Sequence, residues 1–212
     1  DSNNYGRPLA VGTHRLGITK HFTGELHGEL LGHQQTVGLG GVMVWPVAGV
    51  LSSSLAMSHS DKGVGGLLEL GFQRQGRYVS FGANTQLANQ RFAKLGLEPE
   101  ALAPRQISQM FVNLATTDYG SFRANYTQQA FRDRTGNKIL SAGYSRKVGR
   151  QGNLTVSVTR LLNGDAKTTF NLSFSLSLGN RTNASINTSA QPGREQAVLQ
   201  VSRSVPIAER VR

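Results

Sequence analysis

The chain has 212 residues, no cysteine, a net charge of +11 and only 17% charged residues, against ~25% in an average soluble domain. No stretch approaches the ~18 consecutive apolar residues of a membrane-spanning helix, which excludes helical spans but not a barrel, whose strands alternate. The lack of Cys excludes disulfides, thiolate metal sites and a Cys nucleophile. Scattered Arg residues, with no RNA-binding aromatic motif, zinc-finger spacing or basic helix, argue against a nucleic-acid partner.

Period-two alternation marks strands, because successive side chains point to opposite faces. It predicts about twelve strands, near 7–17, 22–32, 37–45, 49–59, 66–75, 78–88, 107–116, 121–130, 138–147, 153–162, 168–179 and 182–190, a weaker run at 196–203, and no helix. In "FTGELHGEL", Phe22, Leu26 and Leu30 oppose Thr23, Glu25, His27 and Glu29. Glu25, His27 and Glu29, at i, i+2 and i+4, have the donor types of a divalent-metal or acid–base set. The simpler reading is a polar row, or ion pairing with His14 or Arg15 on the neighbouring strand, and no metal is expected. "VGLGG" (37–41) is followed by no helix and so is no phosphate loop. The longest connection, "NQRFAKLGLEPEALAPRQ" (89–106), reads as an extracellular loop; folding over a rim or into a lumen is the alternative, with "PEALAPRQ" forming one helical turn.

In "SFRANYTQQ", Phe122, Ala124 and Tyr126 oppose Arg123, Asn125, Thr127 and Gln129. In "NLTVSVTR", Leu154, Val156 and Val158 oppose Thr155, Ser157 and Thr159. The run after residue 167 is the cleanest: Phe170, Leu172, Phe174, Leu176 and Leu178 oppose Thr169, Asn171, Ser173, Ser175 and Ser177. Strands in soluble sheets are mostly ~5–6 residues, whereas ~9–11 tilted residues cross an outer membrane. Six sequons follow from strands rich in Asn, Ser and Thr and are not read as glycosylation sites. No GxSxG occurs, and "SHSD" near His59 and Asp61 resembles a catalytic set in composition only, so no enzyme activity is expected.

Connections alternate in character. Short ones at 18–21, 46–49, 75–77, 116–120, 149–152 and 179–182 alternate with longer or more polar ones at 32–35, 60–65, 89–106, 131–137, 163–167 and 191–195. In a meander this places tight turns on one rim and loops on the other, the pattern of outer-membrane barrels. Trp45, Tyr78, Tyr119 and Phe122 lie by short turns, and Phe92 and Phe131 by long loops, as an aromatic girdle requires. Small polar residues are poorly suited to fill a small barrel, so they suit a wide lumen. The lining is expected to include Glu25, His27, Glu29, Arg123, Asn125, Thr127, Thr155, Ser157, Asn171, Ser173 and Ser175. The fold class is all-β, an antiparallel up-and-down transmembrane β-barrel segment in the outer membrane. The alternatives are a stand-alone porin or diffusion channel, anion-preferring by its charge, and a soluble extracellular β-sandwich with shorter strands and irregular connections.

"NNYGRPLAVGTHRLGITKHFTGELHGEL", with Gly12, Arg15, Gly17 and Thr19 and then Thr23, Glu25, His27 and Glu29, resembles the barrel of the outer-membrane ushers of chaperone–usher pilus assembly. "LELGFQRQGRYVSFGANTQLANQRFAKLGL", "ILSAGYSRKVGRQGNLTVSVTR" and "FNLSFSLSLGNRTNAS" resemble later strands of the same family, in the same order, with a flavour of its alternative or archaic members. The resemblance implies a wide barrel of roughly two dozen strands and a plug domain. It implies pilus subunits and periplasmic chaperone–subunit complexes as partners, outer-membrane lipid around the wall, and no cofactor. Strand addition between subunits would drive export without nucleotide hydrolysis. It places this single-domain segment, 1–212, as the post-plug middle of the wall, without N-terminal, plug or C-terminal domains. The opening "DSNNYGRPLA" is not a natural start, and an upstream segment is expected.

Overall fold

The computed structural model describes residues 9–93, 103–164, 167–179 and 182–203. They form thirteen strands: β1 (Leu9–Gly17), β2 (Phe22–Leu31), β3 (Gln34–Trp45), β4 (Gly49–Ser60), β5 (Gly63–Gln75), β6 (Val79–Ala88), β7 (Gln106–Thr116), β8 (Gly120–Ala130), β9 (Asn137–Val148), β10 (Gly152–Leu161), β11 (Thr168–Ser177), β12 (Thr182–Gln191) and β13 (Arg194–Arg203). All belong to one antiparallel sheet whose strand order is the order of the chain. No Greek-key connection interrupts that order, which removes the β-sandwich reading. Strand lengths run from 9 residues in β1 to 13 in β5, enough to cross a bilayer when tilted.

The weak thirteenth run is a full strand, β13, paired with β12 from Gln191↔Arg194 to Thr182↔Arg203. Three connections expected to be loops are two-residue turns, at 32–33, 61–62 and 192–193, because the flanking strands run on into the polar residues. The rim of longer loops is therefore long only at 89–105, 131–136 and 162–167, while the opposite rim keeps turns of three or four residues throughout. Among the described residues, eight glycines have positive φ, and each lies in or beside a turn. Gly120 shows why: at φ +86°, a Cβ there would sit 2.3 Å from the Ser145 carbonyl oxygen, so no L side chain fits.

The contacts divide the chain into two compact units, Asp1–Phe111 with Tyr126–Lys138, and Val112–Asn125 with Ile139–Arg212. In the first, cross-strand register assembles an apolar face through Leu26, Leu39, Leu55, Leu68 and Leu87 in one row and Phe22, Met43, Leu51 and Phe72 in another. In the second, Leu154, Phe174, Ile186 and Leu199 form one apolar row, and Val158 and Phe170 belong to the next row but one. About half of these side chains stay exposed, Leu55 at 61% accessible and Leu199 at 73%, while others such as Phe22, Leu68, Phe72 and Phe174 are half-buried. Large apolar side chains left uncovered on strand after strand need an apolar surrounding, and a bilayer supplies one.

Candidate pore lining

The opposite face carries the residues expected to line a lumen. In the first unit, Arg15, Glu25, Gly40, Ser54, Glu69 and Gln86 form one row across six strands. Neighbouring rows run Thr13, His27, Gly38, Ala56, and Val11, Glu29, Thr36, Ser58. Arg15 donates through Nε and Nη2 to Glu25 Oε2, at 2.8 and 2.5 Å. His27 joins Thr13 Oγ1 at 2.8 Å through Nδ1 and Glu29 Oε1 at 2.9 Å through Nε2. Asn84 Nδ2 donates to Glu69 at 2.9 Å. Glu25, His27 and Glu29 are thus spent on lateral pairs along the face, the polar-row reading with Arg15 as the ion-pair partner. Among the described residues, no three His, Asp or Glu side chains converge as a metal-ligand set.

This face also receives the start of the 89–106 connection, whose folding over a rim or into a lumen was the alternative reading of the sequence. Residues 89–93, following β6, lie against β3–β5. Asn89 N–H donates to the Gly66 carbonyl at 2.9 Å, and Ala93 N–H to Ser58 Oγ at 2.8 Å. Thr36 Oγ1 reaches the Ala93 carbonyl at 3.4 Å. The approach is so close that a Cβ on Gly65 would fall 2.2 Å from Phe92 Cα, so only glycine permits it. Phe92, 5% accessible, packs with Ala88 and Ala103 against Ala56 and Leu67. It is therefore not a girdle aromatic: its ring is buried on the polar face. Arg132 donates to the carbonyls of Ala103, at 3.3 Å, and of Ala88, tying together the two described ends of the 89–106 connection. Residues 89–93 thus lie on the polar face, nearer to the alternative reading than to the extracellular loop read first. The first half of the helical turn expected at "PEALAPRQ" falls outside the described residues, and its described half, 103–106, is not helical.

In the second unit, the candidate residues share one face. Thr155, Ser173 and Asn187 are in register, as are Ser157, Asn171 and Ser189, and Asn153, Ser175 and Ser185. A Cβ on Gly143 would meet the Arg123 side chain at 3.3 Å and Ser157 Cβ at 3.6 Å, which places Arg123 on that face. Asn125 follows by alternation along β8, whereas Thr127, two residues on, belongs to the first unit. The small polar side chains bond one another across strands: Ser173 Oγ to Asn187 Oδ1 at 2.7 Å, Ser177 Oγ to Asn183 Oδ1 at 2.9 Å, and Ser121 with Ser145 at 2.8 Å. The reverse face presents Phe122 stacked on Tyr144, with ring centroids 4.6 Å apart. Tyr144 Oη donates to the Tyr119 carbonyl at 2.7 Å, fixing this aromatic pair at the short-turn rim.

No family model matches the chain, and no curated protein matches it. Solved structures do. The translocation pore of the P pilus usher PapC is similar at 17% identity and a TM-score of 0.63, over 93% of this chain and 44% of that one. A chain of the Escherichia coli P pilus tip assembly intermediate PapC-PapD-PapK-PapG is similar at 16% identity and a TM-score of 0.76, over 92% of this chain and 27% of that one. A second PapC translocation pore shares 13% identity with a TM-score of 0.54, over 94% and 56%. The chain spans less than two thirds of the length of each of these. It has the fold of an antiparallel up-and-down β-barrel membrane protein, seen here as thirteen consecutive strands of wall.

Proposed function

We propose that this chain is a stretch of pore wall from an outer-membrane usher, past which folded pilus subunits move after delivery by periplasmic chaperone–subunit complexes. One observation carries the reading. A sheet similar in fold to the PapC translocation pore, with a TM-score of 0.63, turns a face of cross-bonded Ser, Thr and Asn one way and exposed Leu, Phe and Val the other. The polar face is the lumen and the apolar face meets lipid. β1 and β13, at the two ends of the strand order, would each meet a further strand of a closed wall, since hydrocarbon does not tolerate unpaired strand edges. The reading assigns no catalytic group and no cofactor: passage needs a lining that neither grips nor reacts, and subunit strand addition supplies the drive.

Single cysteines at adjacent positions of β11 test the topology. In outer-membrane preparations, Ser173→Cys reacts with a membrane-impermeant thiol reagent at least about tenfold faster than Leu172→Cys, because successive strand residues face opposite sides. Equal rates overturn the assignment of faces. In cells assembling pili, a Trp at Ser157 lowers the yield of surface fibre, whereas a Trp at Val156 leaves it unchanged. The reverse pattern refutes the usher reading even if the faces are right.

A further inference from the structure

The apolar face of the second unit is not uniform. It contains an open hollow of about 480 Å³ lined by Val112, Leu114, Phe122, Ala124, Tyr144 and Phe170, with Ala142 and Val158 between them. Register explains the hollow. Ser121 meets Ser145, Phe122 stacks on Tyr144 and Arg123 lies on Gly143, so Ala124 comes opposite Ala142. Two methyl-sized side chains thus sit side by side between the Phe122–Tyr144 pair and the Phe170 ring.

The rim above the hollow is equally specific. One step beyond Tyr144 on the same face of β9 stands Arg146, whose Cβ would touch a Cβ on Gly120 at 3.0 Å. Among the described residues no carboxylate pairs with Arg146. Arg150 lies in the next turn of that rim, 149–151, and Asp118 is the one carboxylate on these two turns. Arg146 stands four residues from Ala142 along the strand, about 13 Å at the rise of a β-strand. The order along the face is therefore cation, aromatic pair, apolar hollow. That is the depth order of a phospholipid: anionic headgroup, ester level, acyl chain. The rim is the one with uniformly short turns, which in outer-membrane barrels is the periplasmic side.

We propose that this hollow is a binding site for an anionic phospholipid of the inner, periplasmic leaflet, with one acyl chain between Phe122 and Phe170 over Ala124 and Ala142, and the phosphate at Arg146. The proposal rests on the apolar face being the lipid face, as in the proposed function. A basic side chain near an anionic bilayer contributes about 1 kcal/mol, or about fivefold in occupancy.

The test is native mass spectrometry of the full chain extracted from vesicles into mild detergent, with phosphatidylglycerol and phosphatidylcholine added in equal amounts. The chain retains phosphatidylglycerol about fivefold over phosphatidylcholine; Arg146→Gln brings the two to parity. Ala142→Trp, which fills the hollow, lowers retention of both. Glycerol phosphate, the headgroup without chains, does not compete; if it does, the site is for free phosphate and the lipid proposal fails. Equal retention of the two lipids by the parent chain, or an undiminished preference in Arg146→Gln, overturns the site. Flotation of each variant with the vesicles separates the two levels. A chain that floats without lipid preference refutes only the hollow, and a chain that does not float refutes the membrane reading beneath it.

Discussion

The contact between Gly65 and Phe92 makes Gly65→Ala a sharp perturbation. The added Cβ would lie 2.2 Å from Phe92 Cα and 2.3 Å from its backbone nitrogen. Carbon atoms rest about 3.5 Å apart or more, so residues 89–93 must lift by more than about 1.3 Å. That takes the 2.8 Å bond from Ala93 N–H to Ser58 Oγ out of range, at about 1 kcal/mol. Lifting also uncovers the Phe92 ring, at about 2 kcal/mol. Together these come to about 3 kcal/mol, or roughly a hundredfold in the open population of the segment. Hydrogen–deuterium exchange of the full chain in detergent reads this directly, as roughly hundredfold faster exchange at the Ala93 amide with β3–β5 unchanged. Gly66→Ala is the control, since its Cβ would meet only Asn89 Nδ2, at 3.9 Å, an ordinary contact. Parent-like protection at Ala93 in Gly65→Ala, or equal loss in both variants, would refute the docking of this segment on the polar face.

Arg132→Met removes donors to two carbonyls and should speed exchange over 103–106 about tenfold, since a charged donor is worth about 1.5–3 kcal/mol; an unchanged rate would show that the clamp is idle. Gly120→Ala forces a Cβ into a left-handed turn against the Ser145 carbonyl and should lower the temperature at which the heat-modifiable band disappears on electrophoresis, with a cost of at least about 1–2 kcal/mol. Arg15→Gln breaks an ion pair whose arginine is 69% exposed, so urea unfolding should shift by less than about 1 kcal/mol; a loss above about 2 kcal/mol would mean that the pair is far less solvated than it looks.

Where alternation was strict, the sequence alone was enough. "TTFNLSFSLS" is β11 nearly to the residue, and the alternation read in "NLTVSVTR" pairs Thr155 with Ser173 and Ser157 with Asn171 across β10 and β11. β13 was faint because its run "REQAVLQVSR" places Val198 on the polar face beside Gln196 and Gln200, which blurs the alternation. The turns at 32–33 and 61–62 were misjudged because Gln34, Gln35 and Gly63 look like loop residues, yet each pairs in the sheet or opens a strand. Nothing in the sequence marks Phe92. A single aromatic in a polar connection has no period, and its burial depends on a glycine twenty-seven residues earlier that leaves room for its backbone. Arg132 was invisible for the same reason, since its partners are carbonyls, which every residue carries.

A meander in chain order has a kinetic meaning. Each strand pairs only with its sequence neighbours, so loop closure is cheap at every step and a wall of this kind can zip hairpin by hairpin as it enters the bilayer. The docking of residues 89–93 breaks that rule. Ala93 meets Ser58 and Thr36, 35 and 57 positions away, and can do so only after β3, β4 and β5 already stand side by side. The buried Phe92 should therefore report the end of assembly, gaining its protection later than any hairpin of the same unit.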